Sequence, residues 1–308
     1  MEYSHCCIQL MIKKGEITML SPIFITSVMY SYYFVAKLNE GMRLLIKVVI
    51  AGARGKMGTE AVHTIMKREG MELVAVLDYK QSGASLAHLE NFPDHYDIPI
   101  YTDFKKLVEE TKPDVLVDLT NPHSVYEHTK QALQLNVRPV IGTTGFTDEQ
   151  LDELTQLAAS KKIGAIIAPN FAIGAILMMK FAREAAKYLP DVEIIEMHHD
   201  RKLDAPSGTA IKTAQMIAEV RAEKTQGHPT EKELIEGSRG GDFQGMKVHS
   251  VRLPGLVAHQ EVLFGGEGQL LTIRHDSLNR ESFMNGIAFC IETVVSMTGL
   301  VYGLENII

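Results

Sequence analysis

Cysteine and blocks of like charge are scarce in this sequence, and tryptophan is absent. The three cysteines are Cys6, Cys7 and Cys290, and the first two are adjacent, so they predict neither a disulfide framework nor a thiolate zinc site. Such usage fits a reducing compartment, and we expect a cytoplasmic protein. The formal net charge is -7 at pH 7, and no basic block is long enough to indicate nucleic acid as a partner.

Residues 1–42 differ from the rest of the chain. An uncharged stretch at 17–36 follows Lys13 and Lys14, which is the arrangement of a signal sequence or a membrane anchor. Pro22 and many hydroxyl-bearing residues argue against insertion, and Met42 stands just before the first convincing strand. We therefore expect an extension that is disordered or results from an upstream start, and no membrane partner; an anchor is the alternative.

The length of 308 residues suggests two domains, and after Leu44 short apolar runs alternate with helical stretches. This alternation is typical of a parallel sheet that is covered by helices on both faces. A helix is predicted at Asp148–Ser160, where Thr147 and Gln150 have capping-box spacing. The predicted strands of this half are Ile46–Ala51, Glu72–Leu77, Asp114–Leu119, Val137–Ile141 and Ile163–Ala168.

The pattern changes after Asn170. We predict an α/β fold in which a Rossmann-like dinucleotide-binding domain at 43–170 is joined by a C-terminal helix at 280–308. The second domain, at 171–279, is predicted to be α+β with a mostly open mixed sheet, one side of which faces water or an interface. Its predicted elements are helices at Gly174–Tyr188 and Gly208–Ala222, strands at Val192–Met197, Lys247–Leu253, Val257–Phe264 and Gln269–His275, and a polar loop at Thr225–Phe243.

A glycine-rich turn directly follows the first predicted strand and opens a helix. Its glycines let the backbone approach a pyrophosphate, which the free N–H groups of the helix start favour. Asp78 ends the second strand, where a carboxylate can accept ribose hydroxyls; Lys56 and Lys80 can instead meet a ribose phosphate, so the cofactor is NADH or NADPH. The predicted cofactor-binding residues are Gly52, Ala53, Arg54, Gly55, Lys56, Met57 and Asp78, with Gly142, Thr143, Thr144, Ala168, Pro169, Asn170 and Phe171 at later strand ends.

The segment from Glu196 to Thr209 combines proton donors with a helix start. His198 and Lys202 are the candidate catalytic residues, because reduction of a C=N or polarised C=C bond requires a proton as well as a hydride. Ser207, Gly208 and Thr209 begin a helix whose free N–H groups can bind a carboxylate. A metal site is the alternative, but no zinc-type spacing or cysteine ligand supports it, and we predict no metal. The histidines that could cluster there are His198, His199, His249, His259 and His275.

These motifs, in this order and separation, resemble the dihydrodipicolinate reductase family of the lysine pathway. The resemblance runs from about Arg43 to the C-terminus and depends most on the runs Glu196 to His199 and Lys202 to Ala210. Some members have Glu where this chain has Asp78, and some have a basic residue at Tyr79. These departures leave the preference between NADH and NADPH open.

The resemblance implies NADH- or NADPH-dependent reduction of 4-hydroxy-tetrahydrodipicolinate, through its dehydrated form, in lysine and diaminopimelate biosynthesis. It implies a small dicarboxylate substrate and a homotetramer that associates through the second domain. By the same resemblance His198 is the acid/base and Lys202 a proton donor, while His199, Gly208 and Thr209 bind the carboxylates. Another amino-acid-pathway dehydrogenase and a nucleotide-sensing protein remain as alternatives.

Overall fold

The computed structural model describes residues 45–308, of which Ile46–Ile308 form one compact unit. Our predictions for residues 1–42 fall outside the described residues. Within 45–308, no helix combines the length and the apolar character that a membrane crossing requires. The helices of this part are α1 (Lys56–Lys67), α2 (Phe104–Thr111), α3 (Val125–Gln134), α4 (Asp148–Lys161), α5 (Ile173–Ala186), α6 (Gly208–Ala218) and α7 (Met284–Val294).

The first sheet is fully parallel over the described residues. Its strands are β1 (Ile46–Ala51), β2 (Met71–Leu77), β3 (Ile100–Tyr101), β4 (Val115–Asp118), β5 (Arg138–Ile141), β6 (Gly164–Ile167) and β12 (Gly299–Tyr302). They follow the order β12-β6-β5-β4-β1-β2-β3, so the sheet reverses its direction of growth between β1 and β4. The five strands predicted here are confirmed to within one residue at each end, and the α/β fold class is confirmed.

Helices cover both faces of this sheet, which explains the continuous apolar runs of its strands. In β1, Val48 and Ile50 pack with α1 and α7, whereas Val49 and Ala51 pack on the opposite face with α2. All four side chains are fully buried. The capping box of α4 is also confirmed, because Thr147 and Gln150 each accept a hydrogen bond from the other's backbone N–H.

The second sheet is mixed. Its strands are β7 (Asp191–His198), β8 (Gly241–Phe243), β9 (Met246–Arg252), β10 (Ala258–Gly266) and β11 (Gln269–Ser277), in the order β11-β10-β7-β9-β8. β7 and β9 are parallel and the other pairs are antiparallel. α5 and α6 pack on one face, where Ile194, Val262 and Phe264 are buried, and alternate residues point to the opposite face.

Two predictions of local structure are wrong. The predicted loop at Thr225–Phe243 ends in a strand, because Gly241–Phe243 pairs with β9. The predicted C-terminal helix runs only to Val294, after a 3-10 turn at Arg280–Phe283, and Gly299–Tyr302 then forms β12 at the edge of the first sheet beside β6. A four-residue edge strand carries too little periodicity to be recognised in the sequence.

Candidate active site

The glycine-rich turn lies at the reversal point of the first sheet, between β1 and β4. A cleft of about 800 Å³ opens there, lined by Gly52, Arg54, Gly55 and Asp78 and by the segment that follows β4. Ligands of open α/β sheets bind at such reversal points, beyond the carboxyl ends of the strands. The position and size of the cleft fit a dinucleotide.

Two glycines of the turn are required by close backbone approach. Gly52 has a φ of +86°, and a Cβ atom at this position would lie 2.8 Å from the backbone oxygen of Leu119. A Cβ atom at Gly58 would lie 2.1 Å from the backbone oxygen of Gly52, so the first turn of α1 can pack here only without a side chain. This packing leaves the start of α1 open toward the cleft, as a bound pyrophosphate requires.

The predicted cofactor residues do not all face this cleft. Ala53 and Ala168 are fully buried, so only their backbone can contact a ligand, and Phe171 is a core residue that packs against Gly142. Three further predicted residues lie elsewhere: Lys56 is exposed, Met57 packs against the core, and Thr143 is buried. The remaining three, Thr144, Pro169 and Asn170, line the cavity described below.

Asp78 reaches the cleft but is paired with Arg54. The two side chains form a bidentate contact, with distances of 2.7 Å and 2.6 Å from Nε and Nη2 to the carboxylate oxygens. The guanidinium also lies 5.1 Å from the ring centre of Tyr79, and Lys80 Nζ lies at the same distance from that ring. Two cations therefore surround the end of β2 beside the predicted ribose-binding carboxylate.

A histidine–carboxylate pair in the cleft was not predicted. Asp118, at the end of β4, is fully buried, and its Oδ2 lies 2.7 Å from Nδ1 of His128 on α3. Oδ1 accepts hydrogen bonds from the backbone N–H and the hydroxyl of Thr120. His128 lines the cleft. The available signal was the acid at the end of an apolar strand, but the partner on a later helix is visible only in three dimensions.

The second candidate region is a cavity of about 550 Å³ where α6 begins. It brings together five of the predicted reaction residues, His198, Lys202, Ser207, Gly208 and Thr209. Residues of the predicted dinucleotide-binding domain line the same cavity, among them Thr144 and Asn170 at strand ends. Tyr302 and Glu305, near the C-terminus, line it as well. Proton donors, a helix N-terminus and the dinucleotide-binding half therefore share one volume.

The start of α6 is organised by Ser207. Its side-chain oxygen accepts a hydrogen bond from the N–H of Ala210 at 3.2 Å, so Ser207 is the N-cap of α6. The amide of Asn170 donates to the hydroxyl of Thr209 at 3.2 Å, joining the end of β6 to the helix start. Gly208 is exposed at the cavity, and nothing lies within 4 Å of a Cβ atom built on it.

His198 is held by a buried carboxylate and its neighbours. Nδ1 of His198 lies 2.5 Å from Oε2 of Glu196, which is fully buried, and Arg252 contacts both oxygens of Glu196 at 2.9 Å and 2.7 Å. Burial opposes ionisation of Glu196, but hydrogen bonds from His198 and Arg252 outweigh it and lower its pKa to about 2. Arg252 was not predicted, although alternation along β9 places it on the same face as the buried Met246 and Val248.

Lys202 lies in the loop between β7 and α6, and its Nζ is 2.7 Å from a carboxylate oxygen of Asp204. This hydrogen bond lowers the pKa of Asp204. His199, predicted to bind substrate, is exposed and is not among the residues that line the cavity.

A smaller chamber of about 180 Å³ adjoins the cavity and shares His198, Ser207 and Thr209 with it. Gln260 and His275 also line this chamber. Gln260 is almost fully buried and donates to Thr213 at 2.7 Å, and burial lowers the pKa of His275. Gln260 was not predicted, and His275 was considered only as a histidine of the metal alternative.

The histidines of the metal alternative have other partners. His249 pairs with Glu193 at 2.8 Å, and His259 pairs with Asp276 at 2.7 Å. Within residues 45–308, no group of three or more histidine, cysteine or acidic side chains is arranged to hold a metal ion.

Two family models match the chain. The model described as dihydrodipicolinate reductase, N-terminus, covers residues 46–171, and the one described as dihydrodipicolinate reductase, C-terminus, covers residues 174–308. Among curated relatives, 4-hydroxy-tetrahydrodipicolinate reductase of Lysinibacillus sphaericus is 76% identical over 263 residues, covering 85% of this chain and 99% of the relative. The enzyme of the same name from Shouchella clausii is 62% identical, covering 86% of this chain and 100% of the relative.

Solved structures give a consistent result. A dipicolinate-bound dihydrodipicolinate reductase from Paenisporosarcina sp. TG-14 is 64% identical and superimposes with a TM-score of 0.79, covering 86% of this chain and 100% of that one. An amine dehydrogenase from Mycobacterium smegmatis is 15% identical, with a TM-score of 0.59 over 83% of this chain and 94% of that one. That second likeness concerns the fold alone.

Proposed function

The chain belongs to the dihydrodipicolinate reductase family, and on that premise we propose that it reduces 4-hydroxy-tetrahydrodipicolinate, through its dehydrated form, to tetrahydrodipicolinate. The enzyme is an oxidoreductase that uses NADH or NADPH. The observation that carries the proposal is the cavity in which His198, Lys202 and the start of α6 meet strand ends of the dinucleotide-binding half. Neither a nucleotide sensor nor a dehydrogenase without the run from His198 to Thr209 would need this arrangement.

The glycine turn and the cleft beside it would hold the cofactor, and the reduced nicotinamide supplies a hydride when bound. The fit follows from the open start of α1 and from the backbone contacts that only Gly52 and Gly58 allow. Thr144 and Asn170, which line the reaction cavity, would position the reactive end of the cofactor.

Lys202 and His198 would supply the proton that completes the reduction. A lysine ammonium or an imidazolium within the cavity can donate to the atom that becomes negative as the hydride arrives on carbon. Lys202 is held through one contact with Asp204, and His198 is anchored at Nδ1, which leaves Nε2 for the cavity. We assign donation to Lys202 and acid/base exchange to His198.

The start of α6 would bind a carboxylate of the substrate. The N–H groups of its first turn and the hydroxyl of Thr209 are donors beside a positive helix end. The Paenisporosarcina reductase was solved with dipicolinate bound, and dipicolinate is a dicarboxylate, which supports this class of substrate. His199 would contact the second carboxylate only after a rearrangement of its loop.

The proposal is tested by supplying the purified protein with freshly generated 4-hydroxy-tetrahydrodipicolinate and following cofactor absorbance. We expect oxidation of NADH or NADPH that depends on both substrate and protein. If neither NADH nor NADPH is oxidised, the proposal is overturned.

Assembly and location complete the proposal. Association as a homotetramer through the second sheet is supported by the face opposite α5 and α6, where Leu263 is partly exposed between buried neighbours, and by exposed Leu270 and Leu271 on β11. A cytoplasmic location is supported by the sparse cysteines, of which Cys290 is buried with a thiol pKa raised to about 12. Native mass spectrometry of the intact protein tests the assembly, and a monomer would contradict it.

A further inference from the structure

Glu196 is the point at which the groups of the reaction cavity are joined. Its carboxylate lies at the end of β7, one alternation before His198, and has no exposed surface. Donors reach both oxygens: His198 Nδ1 and Arg252 Nη1 at Oε2, and Arg252 Nη2 and the backbone N–H of Ser207 at Oε1. A hydrogen bond from the Ser250 side chain also lowers the pKa of Glu196. A carboxylate offers about four acceptor positions, so these donors use its whole capacity.

This pattern fixes the tautomer of His198. An ionised carboxylate can only accept hydrogen bonds, so Nδ1 of His198 must carry a hydrogen. The neutral ring then presents an unprotonated Nε2, and the protonated ring presents an N–H at the same place. Glu196 therefore determines which nitrogen of His198 exchanges a proton with the cavity.

Glu196 and Arg252 also connect His198 to the other reacting groups. Nη2 of Arg252 donates to the backbone oxygen of Asp204 at 2.7 Å, and Asp204 is the partner of Lys202. The bond from the Ser207 N–H to Glu196, at 3.2 Å, fixes the residue that caps α6. One buried carboxylate, together with its arginine, thus joins the acid/base residue, the loop of the proton donor and the helix start.

We infer that Glu196, held by Arg252, is a positioning residue for the reduction. It keeps His198 in the tautomer with hydrogen on Nδ1 and in a fixed position relative to Lys202 and to the carboxylate-binding start of α6. The inference deepens the proposed function and rests on it for the kinetic consequence. Glu196 does not line the cavity, so it acts on the reaction through its neighbours. The tautomer itself is a property of the free protein and can be measured without turnover.

The chain contains a matched control on the same strand. Glu193 also contacts a histidine and an arginine, with His249 at 2.8 Å and Arg239 at 2.6 Å. Its side chain points to the opposite face of β7 and does not line the cavity. The variants Glu196→Gln and Glu193→Gln therefore remove the same charge from carboxylates that have the same kinds of partner, and only the first acts on His198.

The direct experiment is 15N NMR of histidine-labelled protein, with His198 assigned by comparison with a His198→Gln variant. We expect hydrogen on Nδ1 in the native protein and in Glu193→Gln, and a shift toward the other tautomer in Glu196→Gln. The inference is overturned by an unchanged His198 tautomer in Glu196→Gln, or by a native His198 with hydrogen on Nε2 alone. The readout separates this outcome from a failure of the proposed function, which would appear as no cofactor oxidation by the native enzyme.

Kinetics provide the second readout. We expect Glu196→Gln to lower kcat on the order of a hundredfold, the usual range for loss of acid–base function, with little change in the Kd of NADPH. Glu196→Asp, which keeps the charge, should recover part of kcat and the native tautomer. If Glu196→Gln does not fold, Glu196→Asp and Arg252→Lys provide the kinetic test, and a native kcat in both would contradict positioning.

Discussion

Two buried carboxylates each hold a histidine at the end of a strand, one at each end of the site. In the cofactor cleft Asp118 holds His128, and its other donors are neutral groups of Thr120. In the reaction cavity Glu196 holds His198 and is also paired with the guanidinium of Arg252. When His198 loses its proton, Glu196 still faces the guanidinium of Arg252. When His128 loses its proton, Asp118 keeps only the neutral donors of Thr120.

The difference indicates distinct uses of the same pair. A buried carboxylate is costly unless it is paired or well hydrogen-bonded, and a fixed cation lets the neighbouring histidine change charge at lower cost. On the proposed mechanism, the cation beside Glu196 suits a histidine that exchanges a proton. Because Asp118 has no such cation beside it, we expect His128 to keep one geometry.

The largest effect should come from Lys202→Met, which would lower kcat by roughly 10²–10⁴-fold because a positioned proton donor is lost. The Kd of NADPH, measured by fluorescence titration, should stay near the native value, because Lys202 lies outside the cofactor cleft. Asp204→Asn is the matched control, since it removes the partner of Lys202 and keeps the amine. If the Kd of NADPH rose by the same factor as kcat fell, the reaction cavity and the cofactor cleft would not have separate roles.

The sequence predicted β1, β2, β4, β5 and β6 well because they are largely buried and leave apolar runs. It missed the two-residue β3 and the partly exposed β12 at the edges of the sheet. It also located the reaction segment, since His198, Lys202 and Ser207 are close together in the chain. What it missed depends on approach between distant segments. Arg252 comes from another strand, and Asp118 finds its histidine on a later helix.

The prediction at the cofactor end was less specific for a related reason. A glycine turn predicts a backbone cradle but does not tell which side chains face the ligand. Ala53 and Ala168 are fully buried, and Lys56 is exposed and is not among the residues that line the cleft. The direction of each side chain is set by the turn of α1 and by packing, which spacing alone does not determine.

The next largest effect concerns stability in acid. The folded pKa of Glu196 is lowered from 4.5 to about 2, so its contribution is present above about 4.5 and is lost as the pH falls toward 2. A shift of this size corresponds to about 3 kcal/mol. We expect Glu196→Gln to be less stable than the native protein near neutral pH and the gap to narrow in acid, as measured by urea unfolding at stepped pH.

Glu193→Gln is the control for this titration, because Glu193 also has a lowered pKa but remains partly exposed. Its stability difference should be smaller over the same interval. A gap between native protein and Glu196→Gln that stays constant with pH would show that Glu196 does not ionise differently on folding.

A smaller effect is expected for His128→Gln in the cofactor cleft. The Kd of NADPH should rise about tenfold, equivalent to about 1.4 kcal/mol, because a side chain that lines the cleft loses its bond to Asp118. At saturating cofactor, kcat should remain close to native. The reverse result, a lower kcat with unchanged Kd, would mean that both histidine–carboxylate pairs serve the chemical step.

The smallest effect should be a change of cofactor preference in Asp78→Asn. In the native protein, a bidentate pair with Asp78 neutralises the charge of Arg54. The ammonium group of Lys80 lies over the ring of Tyr79. Removing the carboxylate frees the guanidinium and removes a negative charge from the region where a ribose phosphate would lie. We expect the ratio of kcat/KM for NADPH over NADH to rise about fivefold, equivalent to about 1 kcal/mol.

The control for Asp78→Asn is Asp94→Asn, which removes the same charge from an exposed position that does not line the cleft. Its ratio should equal that of the native enzyme. Added salt should reduce the gain in the NADPH/NADH ratio of Asp78→Asn, because the freed guanidinium of Arg54 is partly exposed to solvent and screened by ions. An unchanged NADPH/NADH ratio of kcat/KM in Asp78→Asn would mean that Arg54 orders the end of β2 rather than contacting the cofactor. Arg54 would then keep a fixed geometry, as expected for His128.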